Sequence, residues 1–374
     1  MKKVPISQVD ALFAGGLYPI EFLFFYRERF DAKRLRKALK RLSSVYWPAF
    51  GTYADGVISA NPYREENHSI EEAVDAQIDG AAGEEKAVET VSRRRVAGAG
   101  SLFQLKVLRL KNGAVLIPKL NHLVGDGYSY FYFLSLLAEI ARPSGVPFKK
   151  ALAIATMKPH HRRTALKEFS FRGRSSAPWP ESQEPRIITD EIPRKDVTAA
   201  VRASAEGGGG KISSNDVLTA AAVKKMAGRP GALPADDIEV TIPIDVRSRV
   251  KEYGRKFFGN GIWLHTFKLQ RSDVESLPLR DLAVQIRSFM PAVTKESYVR
   301  YLTGLEEAIA RGDTDKLRPF APERGCLVTN LSRLPADKLD FGSGAPDLVV
   351  PLTSERNSAG ILSRKDAFLL TYGY

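Results

Sequence analysis

Apolar positions along this chain recur with two different periods, which predict short strands between amphipathic helices. Residues 21–27 form an apolar run of strand length. Asp31 then offers an oxygen suited to a helix N-cap, and apolar residues three or four positions apart across 35–42 predict a helix with one buried face. Strand and helix patterns that alternate in this way indicate an α/β fold.

The clearest pattern surrounds His122. Two apolar runs, 102–110 and 114–120, flank an Asn-Gly pair at 112–113, and Asn-Gly between apolar runs is a strong signal for a β-hairpin. Beyond the turn that follows, apolar residues at every third position from Tyr128 predict a helix. His122 is thereby expected at the exit of a strand, in the kind of loop that often carries catalytic side chains.

The alternation continues through the rest of the chain. The further predicted elements are a short helix over 70–78, strands over 238–246, 262–269, 325–331, 346–352 and 366–372, and a helix over 211–226. Residues 279–310 are expected to be largely helical, with a break at Pro291. Residues 143–210 hold many of the prolines. Within them, residues 145–195 are expected to form a long crossover, and a connection of that length is unusual within one compact domain. The expected organisation is an N-terminal half over 1–145, a crossover over 146–195 and a C-terminal half over 196–374.

Composition narrows the class of protein. With 374 residues, of which 44% are hydrophobic, the chain can bury a sizeable core. Its formal net charge of +13 favours an anionic partner, such as CoA phosphates, an acidic carrier protein, nucleic acid or a membrane surface. A basic solvated surface explains the charge equally well. The sequence contains no nucleic-acid-binding signature, so that class has only the charge in its favour.

Cys326 is the only cysteine, which excludes an intramolecular disulfide and a cysteine-based zinc site. Its surroundings, GCLVT, predict a buried thiol on a strand. The adjacent His160 and His161 have no acidic or cysteine partner at metal-binding spacing, so we expect them to be crossover residues. No apolar run approaches the ~18 residues that span a bilayer, and no apolar signal segment follows the N-terminal lysines, so a cytoplasmic protein is expected.

His122, Asp126 and Gly127 form the pattern H-x-x-x-D-G. A histidine that is hydrogen-bonded within a loop before a helix N-cap would also produce this pattern. It resembles the HxxxDG signature of the CoA-dependent acyltransferases, a superfamily that includes the plant-type BAHD enzymes and the condensation domains of non-ribosomal synthesis.

Four further segments resemble BAHD motifs and occur in the same order. Residues 213–220 (SSNDVLTA) resemble S-x-N-D-x-L-T-A, and residues 245–249 with 258–260 resemble D-x-R-x-R followed by FGN. Residues 328–335 (VTNLSRLP) resemble the strand before the second family signature. That signature, DFGWG, is similar to DFGSG at 340–344, where serine replaces the usual tryptophan and leaves the subfamily open.

This resemblance implies a fold of two chloramphenicol-acetyltransferase-like halves, each a mixed β-sheet flanked by helices, with an active-site channel between them. It also implies acyl transfer from acyl-CoA, as co-substrate, to a hydroxyl or amine of a small acceptor, with no metal and no permanent cofactor. His122 would act as general base, because a neutral imidazole, with an ordinary pKa near 6.5, accepts a proton at working pH. The CoA thiol, with a pKa of about 8.5, needs little acid help to leave, so no covalent acyl-enzyme is required.

Family position also suggests roles for other residues. Thr329 would donate to the oxyanion, although a strand threonine that packs by its methyl group is an equal alternative. Asp126 is expected to pair with Arg247 or Arg249 and so hold the loop. Gly127 is expected to allow a backbone conformation that the loop needs. The remaining candidates, at the start of a predicted helix, would bind CoA phosphates or simply cap that helix: Lys211, Ser213 and Ser214.

Two rival interpretations remain open. A phosphopantetheine-loaded carrier protein would replace free CoA as donor and dock its acidic surface on the basic helix at 31–42 and the arginines at 93–95. Alternatively, the chain would be a non-catalytic binder of acyl or aromatic ligands, against which the intact HxxxDG motif argues. In each case a monomer is expected.

Overall fold

The computed structural model forms two mixed β-sheets with helices packed against them, and a small antiparallel sheet. It describes residues 2–15, 19–72, 77–78, 87, 101–143, 185–206, 211–234, 236–313, 317–352 and 355–374. The strands are β1 (Lys3–Pro5), β2 (Pro19–Tyr26), β3 (Thr52–Ala54), β4 (Val57–Ser59), β5 (His68–Glu72), β6 (Phe103–Leu110), β7 (Gly113–Asn121), β8 (Ile187–Pro193), β9 (Asp237–Asp245), β10 (Ile262–Gln270), β11 (Gly325–Asn330), β12 (Leu348–Pro351), β13 (Ser358–Ser363) and β14 (Ala367–Gly373). The helices are α1 (Gln8–Ala11), α2 (Ala32–Ser43), α3 (Gly127–Ala141), α4 (Arg194–Glu206), α5 (Ser214–Ala227), α6 (Arg271–Ser276), α7 (Leu279–Phe289) and α8 (Lys295–Arg311). The small antiparallel sheet has the strand order β1-β4-β3.

The first sheet has the strand order β12-β2-β7-β6-β5 and contains the expected hairpin. β6 and β7 are antiparallel, with Leu110 paired to Gly113, so the Asn-Gly turn is confirmed. A Cβ atom at Gly113 would lie 2.1 Å from the carbonyl oxygen of Tyr26, so only glycine fits there. The short helix expected over 70–78 is wrong where the chain is described: His68–Glu72 is β5, because pairing with β6 overrides a weak helical pattern.

The second sheet has the order β10-β9-β11-β13-β14-β8. Its edge strand β8 and the first residues of α4 lie within the segment expected as crossover, so the last residues of that segment belong to the C-terminal sheet and its helices. The sequence pattern does not predict β8, because an edge strand needs no continuous apolar run and β8 contains polar residues. Residues 144–184, with His160 and His161, lie outside the described residues.

The two halves share both a sheet and a core. β12, which comes from the C-terminal half, pairs antiparallel with β2 and sets Leu348 opposite Phe25. The largest hydrophobic cluster contains Phe131 from the first half together with Phe258 and Tyr298 from the second. Burying a phenylalanine contributes about 1.5–3 kcal/mol, so contacts of this kind fasten the halves to one another next to the loop that follows β7.

Predictions made for single residues also agree with the structure. Asp31 caps α2, because its carboxylate accepts a hydrogen bond from the backbone N–H of Arg34 at 3.1 Å. Cys326 is buried on β11, and burial raises the pKa of its thiol to about 12. Within the described segments, no helix has the length and apolar character needed to cross a membrane.

Candidate active site

The HxxxDG loop joins β7 to α3 as the sequence predicts. Asn121 ends β7, and its Oδ1 accepts a hydrogen bond from the backbone N–H of Leu123 at 3.0 Å. Asp126 is the N-cap of α3, and its Oδ1 accepts from the backbone N–H of Ser129 at 3.0 Å. These two bonds turn the chain sharply between strand and helix and leave His122 within the turn.

Asp126 and Arg247 form a buried ion pair behind this loop. Nη1 and Nη2 of Arg247 donate to the two carboxylate oxygens of Asp126 at 2.8 and 2.9 Å, a bidentate geometry. Asp126 also accepts from the backbone N–H of Gly261 at 2.9 Å. The sequence left Arg247 and Arg249 as alternatives. Arg249 is exposed, so Arg247 is the partner.

The surroundings of the pair favour its charged form. Arg247 donates to the carbonyl oxygen of Gly259 at 3.0 Å and lies 4.5 Å from the ring centre of Tyr128. Burial by itself would raise the pKa of Asp126, but the charge and hydrogen bonds of Arg247 hold that pKa below its usual range. Burial opposes the charge of Arg247, and the charge of Asp126 more than offsets this, so the pKa of Arg247 is raised.

His122 is half-buried, and its imidazole is stacked on Phe13 with ring centres 3.8 Å apart and planes inclined by 14°. Burial lowers the pKa of His122 to about 4, against the opposing effects of Asp126, its own carbonyl group and Asn260. The imidazole is therefore neutral at physiological pH. Its Nδ1 is enclosed without a hydrogen-bond partner among the described residues, which leaves Nε2 as the nitrogen that a substrate can reach.

Three residues to which the sequence gave no role support His122. One is Phe13, and the other two form a buried polar link. Asn260 Nδ2 donates to the carbonyl oxygen of His122 at 2.8 Å and to Oδ1 of Asp10 at 2.7 Å. Oδ2 of Asp10 accepts from the backbone N–H of Ser7 at 2.8 Å. Two signals could have found them: the Ser-x-x-Asp spacing of a capping box and the asparagine of the FGN segment.

The start of α3 packs against the segment that follows β11. A Cβ atom at Gly127 would lie 3.4 Å from Leu331 and from Leu334. Thr329, the expected oxyanion donor, is half-buried on β11, and its backbone pairs with Gly360 of β13. Because Thr329 precedes Leu331 by two residues, its strand ends beside the HxxxDG helix.

The start of α5 lies beside the end of β11 as well, since Asn330 Nδ2 donates to Asn215 Oδ1 at 2.8 Å. Ser213 is engaged in capping: its Oγ donates to Asp216 at 2.9 Å and accepts from Arg287 at 2.8 Å. The capping box predicted for this helix is therefore present. The other two candidates for phosphate binding are exposed at this end of α5: Lys211 and Ser214.

The DFGSG segment lies at the opposite end of α3. Oδ1 of Asp340 accepts from the backbone N–H groups of Gly342 and Gly344 at 2.7 and 3.0 Å. Its Oδ2 lies 3.3 Å from Nη2 of Arg142, the C-cap of α3. α3 has 15 residues and is therefore about 22 Å long. The serine that replaces the family's tryptophan is thus remote from His122.

A cavity of about 1410 Å³ opens between the two halves. Phe25 and Arg27 of the first sheet line it, together with Leu334 and Leu362 from the C-terminal half. Leu334 also packs at Gly127, so the cavity adjoins the start of α3 without including His122 in its wall. The described parts of the chain contain no group of three or more His, Cys, Asp or Glu side chains that could hold a metal ion.

The sequence matches the model of the Transferase family over residues 82–367, well over half of the chain. This chain belongs to the Transferase family. The BAHD resemblance carried by its motifs is thereby confirmed. Among curated proteins, none matches this member of the Transferase family in sequence.

Several solved structures share the whole fold. TRI101 of F. sporotrichioides, in complex with coenzyme A and T-2, gives a TM-score of 0.73 at 14% identity over 99% of this chain and 94% of that one. Vinorine synthase gives a TM-score of 0.71 at 16% identity over 100% of this chain and 90% of that one. The first condensation domain of the CDA synthetase gives a TM-score of 0.59 at 14% identity over 100% of this chain and 91% of that one. The expected α/β architecture of two sheet-containing halves is confirmed.

Proposed function

We propose that this transferase moves an acyl group from acyl-CoA to a hydroxyl or amine of a small-molecule acceptor. The observation that carries the proposal is a neutral His122 on a loop held by the Asp126–Arg247 pair. Nε2 of His122 takes the acceptor's proton while the acceptor oxygen or nitrogen attacks the thioester carbonyl carbon. The tetrahedral oxyanion then collapses, the carbon–sulfur bond breaks, and the CoA thiolate takes the proton back from Nε2 of His122, so that CoA leaves as the thiol without an acyl-enzyme intermediate.

Thr329 supplies the hydroxyl donor for the oxyanion in this proposal. The position of β11, which ends beside the start of α3, supports that role. Lys211 and Ser214 bind CoA phosphates, because they are exposed at a helix N-terminus, where the helix dipole favours anions. Ser213 contributes through its cap on α5, since its hydroxyl is already bonded on both sides.

The structural neighbours offer a precedent for both substrates. TRI101 structures contain coenzyme A together with T-2 or with deoxynivalenol, each a small acceptor-sized molecule. We extend the same pairing, a CoA donor and a small acceptor, to this chain. Action as a monomer in the cytoplasm, with no resident metal or cofactor, is part of the proposal.

Thiol release from a panel of acyl-CoAs, with and without candidate alcohols and amines, tests this function. We expect acceptor-stimulated release in the wild type and a loss of about 10²–10⁴-fold in His122→Ala, the range for a missing general base. His265→Ala is the matched control, because His265 is a half-buried histidine on β10 whose Nε2 lies 2.8 Å from the Phe289 carbonyl oxygen. Near-full activity in His122→Ala would contradict the proposal.

A carrier-protein donor is a second candidate, favoured by the surface of α2. This helix contains six cationic residues and no acidic one, and within the described residues only Arg34 forms an ion pair, with Asp31. An acidic carrier would complement that face, while the arginines at 93–95 lie outside the described residues. Activity with an acyl-carrier protein that Lys37→Glu abolishes, with no release from free acyl-CoA, would favour this candidate.

A further inference from the structure

The imidazole of His122 lies flat against the ring of Phe13, with ring centres 3.8 Å apart and planes inclined by 14°. Phe13 is only 3% exposed and belongs to the largest hydrophobic cluster, to which both halves contribute. Rotation of the imidazole out of this plane would drive its edge into the face of the phenylalanine ring. The stack therefore restricts the tilt of the imidazole.

Torsional preference alone does not fix that tilt. The terminal torsion of a histidine side chain joins an sp³ to an sp² carbon, and such torsions have broad, roughly two-fold distributions. The lone pair that accepts a proton lies in the plane of the imidazole, so its direction follows the tilt of the ring. A general base works only where that direction points at the proton to be removed.

The carboxylates nearest to His122 are engaged with other groups. Both oxygens of Asp126 accept from Arg247, and those of Asp10 accept from Asn260 and from the backbone N–H of Ser7. Within the described chain, the enclosed Nδ1 of the imidazole has no hydrogen-bond partner. A carboxylate on Nδ1 would orient the ring but would also favour the imidazolium by its charge. An uncharged aromatic ring orients the base without that effect.

The position of Phe13 is fixed from the C-terminal half. Its backbone N–H donates to the carbonyl oxygen of Asp10 at 3.0 Å, which joins it to α1. Helix α1 is held in turn by Gln8, whose Nε2 donates to Oε1 of Glu306 on α8 at 2.8 Å, and by Asn260, whose Nδ2 donates to Oδ1 of Asp10 at 2.7 Å. The ring that covers the imidazole thus belongs to an N-terminal segment docked on the other half.

We propose that Phe13 is a positioning residue for His122. By stacking on one face of the imidazole, it keeps the ring plane, and with it the lone pair of Nε2, directed at the hydroxyl or amine of the acceptor. It also keeps water from that face. The N-terminal segment thereby takes part in catalysis without touching the substrate. This inference rests on the proposed role of His122 as general base.

Phe13→Leu keeps an apolar side chain and removes the flat face. We expect kcat to fall at least about tenfold, because a catalytic group misplaced by about 1 Å can cost about 100-fold, while KM for acyl-CoA changes little. Phe13→Tyr keeps the flat face and should retain most of the wild-type kcat. Equal losses of kcat in the two variants would contradict a role for the flat face.

Phe50→Leu is the matched control. Phe50 is also 3% exposed and lies in the same cluster, where its ring centre is 5.8 Å from that of Phe103 and 6.1 Å from that of Phe133. Phe50→Leu should lower the free energy of unfolding about as much as Phe13→Leu and leave kcat unchanged. An equal loss of kcat in the control would mean that core stability alone explains the effect, against the proposal.

A double variant separates positioning of His122 from general loosening of the site. In a His122→Ala background, Phe13→Leu should leave the residual activity unchanged, because it acts only through the imidazole. A further tenfold loss in that background would show that Phe13 supports the site independently of His122, and would overturn the proposal.

Proton NMR of the histidine rings reports the stack without any substrate, since a stacked aromatic ring shifts the proton signals of its neighbour. Comparison with His122→Ala assigns the signals. The shift should be lost in Phe13→Leu and persist in Phe13→Tyr. If Phe13→Leu does not fold, Phe13→Met makes the same comparison, because its flexible thioether has no flat face. A wild-type kcat in the folded variant, with His122→Ala inactive, would overturn this inference alone. An active His122→Ala would instead overturn the proposed function.

Discussion

The buried Asp126–Arg247 pair should contribute far more to stability than any exposed ion pair of this enzyme. Both side chains are only 3% exposed, and two hydrogen bonds of 2.8 and 2.9 Å join them. Removing one partner of such a pair costs about 3–5 kcal/mol, because the other charge stays buried without compensation. The free energy of unfolding of a protein is typically about 5–15 kcal/mol. Arg247→Met should therefore remove a large share of the free energy of unfolding.

The companion variant is Asp126→Asn, which keeps an oxygen to accept from the backbone N–H of Ser129 and so preserves the cap of α3. We expect Asp126→Asn to lower the free energy of unfolding by about 3 kcal/mol, the lower end of the range for a broken buried pair. The reason is that Asp245 remains 3.2 Å from Arg247 and still compensates part of its charge. The loss of unfolding free energy in the double variant should be smaller than the sum of the two single losses, by at least about 2 kcal/mol. The reason is that the second substitution removes a charge that has already lost its partner.

Urea unfolding at pH 7, followed by circular dichroism, gives the free energy and its dependence on urea for each variant. Glu307 and Arg311 are the control pair: they lie one turn apart on α8 at 3.7 Å, and both are more than half exposed, at 61% and 59%. Glu307→Gln and Arg311→Met should each lose at most about 1 kcal/mol. Equal losses from the two pairs, or strict additivity at Asp126 and Arg247, would refute the reasoning.

Three further predictions concern catalysis. Because burial lowers the pKa of His122 to about 4, kcat/KM should stay level as pH falls through 6.5 and decline only as it approaches 4; an acid limb centred near 6.5 would contradict this. Thr329→Val should lower kcat about 10²–10³-fold, as for a lost oxyanion donor, while Thr329→Ser stays active; equal kinetics in the two variants would exclude the role. Lys211→Glu should raise KM for acyl-CoA about fivefold, since roughly 1 kcal/mol of attraction is lost, with less effect at high salt; an unchanged KM would mean that the phosphates bind elsewhere.

Sequence patterns predicted the elements whose structure is encoded within one segment. The Asn-Gly turn, the cap and apolar stripe of α2, and the N-cap of α3 each depend on residues a few positions apart. The strands that were missed are mostly at sheet edges: β1, β5 and β8. Such strands pair on one side only and keep a solvated face, so their residues carry no strong periodicity.

The candidate active site was predictable in its motif but not in the residues that support the motif. The HxxxDG spacing identified His122 and Asp126, yet a choice between Arg247 and Arg249 required the fold, because both belong to the same short motif. The link from Asp10 to Asn260 joins residues 250 positions apart. No local pattern specifies such a contact, since it exists only once the α1 segment has packed against the C-terminal half.

Arg247 has an electrostatic consequence for His122, the proposed base, as well as a structural one. The charge of Asp126 raises the pKa of His122, and Arg247 limits this effect by its bidentate contact with the carboxylate. In Arg247→Met the carboxylate is unpaired, so it should favour the imidazolium and move the acid limb of kcat/KM to higher pH. Asp126→Asn removes the charge and should not move the limb upward. Opposite shifts in these two destabilised variants would separate electrostatics from loosening of the loop, whereas identical pH profiles would mean that the pair acts on His122 through structure alone.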